Sequence, residues 1–432
     1  MLEKLFKLTE HRTNVRRELV AGFTTFMAMA YILAVNPDIL SAAGMDKGSV
    51  FTATAIASVI GCLLMGLFAN LPIGLAPGMG LNAFFAFTVV LTMGYSYQFA
   101  LAGVFIEGIL FILMSFFNIR ESIIKAIPSN VKISISIGIG LFISLIGLKG
   151  AGIIVDNPAT LVSLGKMTDP SVILGMIGIG IAAVLLILNV KGALLIAILG
   201  TTLIGIPIGV TQIPENFSPI SLAPALHNNF AEFDWSQIFT MDMVIIVFTF
   251  MFIDIFDTVG TLIGVCTSAK LLDKDGNVPN VKKALLADAV ATSVGALIGT
   301  STVTSYVESA SGVAAGGRTG LTAIVVGGLF FVALFLAPVF LIIPDAATCS
   351  ALVMVGLFML RVVGNVDFED FSEAIPAFLT IIFIPFSYSI ADGIMLGVVT
   401  YVAFNAFCLK FNKLTPTMII LALLFLAKMA WM

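Results

Sequence analysis

Ser301-Thr302-Val303-Thr304-Ser305-Tyr306-Val307-Glu308-Ser309-Ala310-Ser311-Gly312 interrupts an otherwise lipid-compatible stretch of this chain. A β-prone polar run, a carboxylate and then small residues make a poor spanning helix. They suit a broken segment, a few extended residues followed by a half-helix, with Glu308 near the break. Non-helical backbone at membrane depth is tolerated only where protein buries it or it lines a cavity. An ionisable residue at that depth marks a functional site. A substrate site is therefore expected here.

The composition around this stretch fixes its setting. The 432 residues are 59% hydrophobic and 11% charged, whereas soluble domains carry about 25% charged residues. The chain reads as an all-α polytopic membrane protein, and at about 20 residues per span it holds roughly fourteen spans. Seven apolar stretches fill residues 1–210, a polar loop follows at 211–240, and seven more stretches fill 241–410. The apolar tail, 411–432, is either a fifteenth span or an interfacial helix. Residues 1–18 are polar and basic, and 19–35 read as a first span without a small-residue cleavage site.

With the N-terminus cytoplasmic, only Lys47, Lys149 and Lys166 of the 21 Lys and Arg fall outside, and Lys428 stays unassigned in the tail. The others, Arg120, Lys125, Lys274 and Arg318 among them, fall inside, and the 211–240 loop lies outside. That bias predicts a multi-pass protein with a cytoplasmic N-terminus, and it supports the span count; the membrane expected is the plasma membrane. Cys62, Cys266, Cys349 and Cys408 are scattered at apolar positions and read as small hydrophobes. His11 and His227 lie outside the apolar segments, so no buried histidine relay is expected.

The halves echo each other. Thr25-Phe-Met27 in the first span matches Thr249-Phe-Met251 in the eighth, and the run Asn70 to Gly80 lies over Thr302 to Gly312. An odd span count per half makes the two repeats inverted. Paired Gly/Pro-interrupted segments in inverted halves point to a transporter's midplane site.

Four segments carry candidate chemistry. In the third span, Pro72, Gly74, Pro77, Gly78 and Gly80 prevent regular helix, and the run from Asn82 can restart one. That is either a bent packing helix or a half-helix whose free N–H groups, with their positive dipole end, face a ligand. In the eighth span Asp254 and Asp257 are three apart, with Thr258 and Thr261 following at helical spacing. Two carboxylates at hydrocarbon depth cannot both be ionised cheaply, so one is a natural proton carrier; the alternatives are a structural hydrogen-bonded pair or, lacking further ligands, a metal site. Asp288 in the ninth span and Glu107 in the fourth are each either structural or coupling residues. Gly316-Gly-Arg318-Thr-Gly320 lacks the Gly-Lys-Ser/Thr of a phosphate loop and reads as a tight turn. The expected cavity is thus acidic and holds no Lys or Arg. It suits a planar neutral molecule whose N–H donors meet Glu308 side by side, with Phe84, Phe85, Phe252 and Tyr306 offering apolar faces.

Ala76-Pro-Gly-Met-Gly-Leu-Asn82-Ala-Phe-Phe85, Phe256-Asp-Thr-Val-Gly-Thr-Leu262 and Thr300 through Gly312 resemble the AzgA-like adenine/guanine/hypoxanthine permeases of the nucleobase–ascorbate transporter superfamily. The likeness runs from about Arg16 to the C-terminus. It implies two inverted repeats of seven spans, short strands in broken spans 3 and 10, a core of spans 1–4 and 8–11, and a gate of spans 5–7 and 12–14. It makes Asp254 and Glu308 base-binding carboxylates and Asn82 a specificity contact, with the Tyr306–Val307 backbone, Ala76 and Gly80 also at the substrate. Asp257 becomes a substrate or coupling residue, with Asp288 and Glu107 as further proton candidates. The Gln-His pair that the uracil and xanthine branches carry in the first span is replaced here by Met27-Ala-Met-Ala-Tyr31.

These readings converge on a proton-coupled purine importer that moves its core past its gate like an elevator. Its partners are a purine nucleobase, a coupling proton and the lipid bilayer, with a homodimer as an option. Neither cofactor, metal, nucleic acid nor enzymatic activity is expected. The rival is a passive channel or an anion exchanger on the same inverted scaffold.

Overall fold

The computed structural model describes residues 2–117, 128–226, 229–272 and 278–431. Arg120, Lys125, His227 and Lys274 lie outside the described residues, and so does the side chain of Lys428. Nine of the described helical segments are long and apolar enough to cross a membrane. The other five expected spans are shorter, broken or more highly charged. Met79–Thr92, Ala193–Ile208 and Phe371–Phe386 are short apolar helices, the segment at Ser301 is broken, and Val281–Ile298 carries Lys282, Lys283 and Asp288.

After a short α1 (Leu2–Phe6), the first span is two helices, α2 (Val15–Met29) and α3 (Ile32–Ser41), with Pro37 inside the second. Asn14 caps α2 by accepting from the backbone of Arg17, one of the orphan donors that every helix start leaves. Then come α4 (Lys47–Leu64), β1 (Leu75–Pro77), α5 (Met79–Ala83) and α6 (Tyr97–Phe117), followed by α7 (Ser129–Gly150). A β2–β3 hairpin (Ile154–Asn157, Leu161–Leu164) leads to α8 (Pro170–Ile187) and α9 (Ala193–Ile208). The second half runs α10 (Met241–Ser268), α11 (Val281–Ile298), β4 (Val303–Ser305), α12 (Ser309–Ala314), α13 (Gly320–Ala333) and α14 (Ala337–Leu341). It closes with α15 (Asp345–Leu360), α16 (Phe371–Phe386), α17 (Ile390–Phe407) and α18 (Pro416–Trp431).

Packing sorts the helices into two groups. Helix α2 packs on α12 and α13, α4 on α11 and α13, and α6 on α10 and α11. Helix α7 packs on α15 and α16, α8 on α9 and α15, and α16 on α17. The tail helix α18 buries Met418, Leu421, Ala422 and Phe425, an i, i+3, i+4, i+7 stripe. That stripe lies along α17, and Phe425 reaches Phe248 of α10 at 5.9 Å between ring centroids.

The two strands pair antiparallel at the centre, Leu75 opposite Ser305, Ala76 opposite Thr304 and Pro77 opposite Val303. So short a ribbon leaves backbone groups that water cannot reach, and neighbouring side chains satisfy them. Cys62 accepts from the Leu75 N–H at 3.2 Å and donates to its carbonyl, so this cysteine anchors β1 as well as filling space. Thr292 donates to the Val303 carbonyl at 2.8 Å, and Ser309 Oγ accepts from the Gly74 N–H at 3.0 Å.

The halves are not equivalent residue for residue. One residue, Gly78, separates β1 from α5, whereas Tyr306, Val307 and Glu308 separate β4 from α12. The half-helix of the third span also restarts at Met79, three residues before Asn82, because Gly78 takes an extended φ of −78° and ψ of 131° and caps it there.

Candidate functional site

Glu308 stands in that longer connection, immediately before α12. Its place is set by how closely α12 approaches α2. A Cβ built on Gly312 would lie 2.6 Å from the Ala21 carbonyl oxygen and closer still to Thr25 Oγ1, so only glycine permits the contact. One turn before Gly312, Glu308 then faces the break between α2 and α3, where the Tyr31 hydroxyl donates to its Oε1 at 2.7 Å. Tyr306 points the other way and donates to the Pro77 carbonyl at 2.5 Å, tying the connection back to β1. Val307 is 54% exposed, and Glu308 and Asp257 are partly exposed. Beyond Asp257 on α10, Gly260 and Gly264 have nothing within 4 Å of a built Cβ. The site is therefore open along this face of α10.

Behind Glu308 lies a buried polar network. Thr258 Oγ1 sits 3.2 Å from Asp254 Oδ1, 3.1 Å from Asp288 Oδ1 and 2.7 Å from Thr304 Oγ1, joining α10, α11 and β4. Thr258 thus pairs with Asp254 and not with its chain neighbour Asp257. Asp254 and Thr258 are i and i+4 and share a face, whereas adjacent residues on a helix point apart. Glu107 of α6 accepts from Thr302 at 2.7 Å. The Ser301 hydroxyl donates to Asn82 Oδ1, and Asn82 Nδ2 is buried without a hydrogen-bond partner among the described residues.

The structure thus brings Asp254, Asp257, Asp288, Glu107, Glu308, Asn82, Tyr306 and Ala76 around the β1–β4 pair. Gly80 has another place. Its Cβ position lies 2.9 Å from Ile139 of α7, so it lets helices of the two packing groups cross. Phe84, Phe85 and Phe252 are fully buried, Phe84 edge-on to Phe250 at 4.8 Å, and pack as core. Sequence reasoning passed over Tyr31, Ser301, Thr302 and Thr304 as side chains with partners. It also passed over Asn36, which donates to Thr54 and Thr300 and ties α3 to the start of the broken segment. A signal for Tyr31 existed, because the internal match sets Ala30 opposite Asp254. On the α7 side, the Lys132 ammonium lies over the Phe256 ring at 5.4 Å, one residue from Asp257.

Comparison with known proteins agrees with this architecture. Residues 16–396 match the family model described as "Permease family". The chain is 44% identical over 431 residues to the adenine permease AdeP of Escherichia coli, covering 100% of this chain and 96% of that protein. It is 44% identical over 428 residues to the guanine/hypoxanthine permease PbuO of Bacillus subtilis, covering 98% of each. Among solved structures, the transmembrane domain of a cyanobacterial bicarbonate transporter, BicA, superposes with a TM-score of 0.66 at 15% identity, over 90% of this chain and 97% of that one. The fold is therefore the all-α one of about fourteen spans in two inverted repeats. The chain belongs to the permease family, in its AzgA-like nucleobase branch.

Proposed function

We propose that this permease imports purine nucleobases, hypoxanthine, guanine or adenine, together with protons. One observation carries the reading: a partly exposed carboxylate, Glu308, and an unpartnered buried amide donor, Asn82 Nδ2, flank the same pair of strands. A purine offers ring N–H donors to the first and ring acceptors to the second. The names of AdeP and PbuO support the same substrate class.

Proton coupling is supported by how the buried acids meet. Thr258 has one hydroxyl hydrogen and faces two carboxylate oxygens and a second hydroxyl. Asp254 and Asp288 thus meet at one hydroxyl in a buried site, where two like charges cannot both be carried cheaply, so a proton shared between them relieves the repulsion. Taking up that proton with the neutral base would lessen the charge that the loaded core carries through lipid. The two packing groups, with Gly80 against Ile139 where they cross, support an elevator-like movement of a core (α2–α6, α10–α14) past a gate (α7–α9, α15–α17). The Lys and Arg bias supports an orientation with the N-terminus inside; in that orientation the open face of α10 leads to the cytoplasm.

The test is uptake of radiolabelled hypoxanthine, guanine, adenine and uracil into proteoliposomes, with and without an inward proton gradient. Accumulation of purines only when the gradient is imposed is expected. Preference for uracil, or accumulation indifferent to the gradient, would overturn the reading.

A further inference from the structure

We propose that Tyr31, at the break in the first span, is a specificity residue that fixes how many donors Glu308 can accept from a purine. The inference rests on the substrate reading above and deepens it. Tyr31 is 1% exposed, and its hydroxyl lies 2.7 Å from Glu308 Oε1. Its backbone carbonyl accepts from Ala34 at 3.0 Å and from Val35 at 3.0 Å, so the ring is rooted in the first turn of α3. Glu308 is held from its own side, since its carbonyl accepts from the backbone and the hydroxyl of Ser311. Both ends of the hydrogen bond are thus fixed by backbone geometry.

A carboxylate with both oxygens free accepts two parallel N–H bonds side by side. Guanine presents such a pair, its N1–H and its 2-amino group. Hypoxanthine shares the N1–H and lacks the amino group. With Tyr31 on Oε1, Glu308 offers Oε2 to the shared N1–H, and the 2-amino group must compete for the remaining lone pair of Oε1. The wild-type site therefore gains little from the amino group and accepts hypoxanthine and guanine nearly alike. Removing the phenol oxygen restores the two-oxygen edge and favours guanine.

The experiment measures equilibrium binding of guanine and hypoxanthine to purified, monodisperse wild-type, Tyr31→Phe, Glu308→Gln and doubly substituted protein. Phenylalanine keeps the ring and removes only the donor. The expected result is a guanine-to-hypoxanthine affinity ratio that rises about tenfold in Tyr31→Phe, the scale of one regained hydrogen bond. In the Glu308→Gln background the same substitution should leave the ratio unchanged. A ratio within about twofold of wild type, with Glu308→Gln still weakening both purines, overturns the role of Tyr31 and leaves the site intact. If Glu308→Gln weakens neither purine, the substrate site itself is misplaced and the inference falls with it. Wild-type protein alone is a second check: a guanine preference of more than about a hundredfold is incompatible with an occupied Oε1.

Discussion

Replacing Gly312 by alanine tests the geometry that places Glu308. The added Cβ would lie 2.6 Å from the Ala21 carbonyl oxygen, whereas ordinary contact begins at 3.4 Å. Thr25 can rotate away, but the Ala21 carbonyl belongs to the backbone of α2 and cannot. Helix α12 must therefore retreat by roughly 0.8 Å, the difference of those two distances, at about 1–3 kcal/mol for overpacking. Carried to Glu308, that shift stretches the 2.7 Å bond to Tyr31 to as much as roughly 3.5 Å, beyond useful hydrogen-bond length. Loss of one charge-assisted hydrogen bond is worth about 1.5–3 kcal/mol, or about 10- to 150-fold in affinity if the carboxylate loses its pose. The assay is thermal unfolding with and without hypoxanthine, beside equilibrium binding. Gly264→Ala is the control, because nothing lies within 4 Å of its Cβ; there alanine should stabilise the helix by about 0.5–1 kcal/mol. Wild-type melting and binding in Gly312→Ala would refute the reasoning.

Other expectations follow from the same contacts. Thr258→Val keeps the shape but strips the hydroxyl shared by Asp254, Asp288 and Thr304; it should cost about 2–5 kcal/mol of stability and abolish gradient-driven uptake, and a variant that still concentrates purine would remove Thr258 from the proton path. Uptake should collapse with a protonophore and persist when choline replaces Na⁺, whereas strict Na⁺ dependence would sink proton coupling. At the start of α16, hydrogen bonds from Lys410 and then Lys413 hold the Asp370 carboxyl well below the usual carboxylate range. A group depressed in the folded state stabilises it above its unfolded value, near pH 4, and loses that contribution as the pH falls further. Melting temperature should therefore drop more steeply below about pH 4 in wild type than in Asp370→Asn; parallel curves would show that the ion pairs add nothing.

The breaks in spans 3 and 10 were legible because they are written in composition: prolines and glycines at 72–80, and threonines and serines with one carboxylate at 301–312. The break in the first span was not, because Ala28, Met29, Ala30 and Tyr31 include no helix breaker. Tyr31 owes its role to a partner 277 residues away, and the close approach of α12 to α2 that brings them together depends on packing, which no local pattern encodes. Asp254, Asp257 and Asp288 were legible as acids within apolar spans, but their partners were not. Which hydroxyl serves which carboxylate depends on β4 lying between α10 and α11. The packing of Gly80 was not legible either: a Cβ there would lie 2.9 Å from Ile139, a neighbour 59 positions along the chain.

Sharing a fold with a bicarbonate transporter leaves the cargo open, since function resides in the site. In an inverted-repeat carrier the facing ends of the two half-helices carry partial positive charge, and an anion could in principle settle between them. Here the position before α12 is occupied by Glu308, whose carboxylate turns to Tyr31 without capping the helix. The chain's own charge thus stands where a bound anion would. An added monovalent anion 4 Å from that carboxylate would meet about 4 kcal/mol of repulsion at an effective dielectric of about 20. Asp257, also partly exposed on α10, would add to it, offset in part by the Lys132 ammonium over the neighbouring Phe256 ring. A neutral ring with N–H donors meets the same carboxylates as acceptors. The electrostatics that oppose the anion-exchanger reading therefore favour a nucleobase.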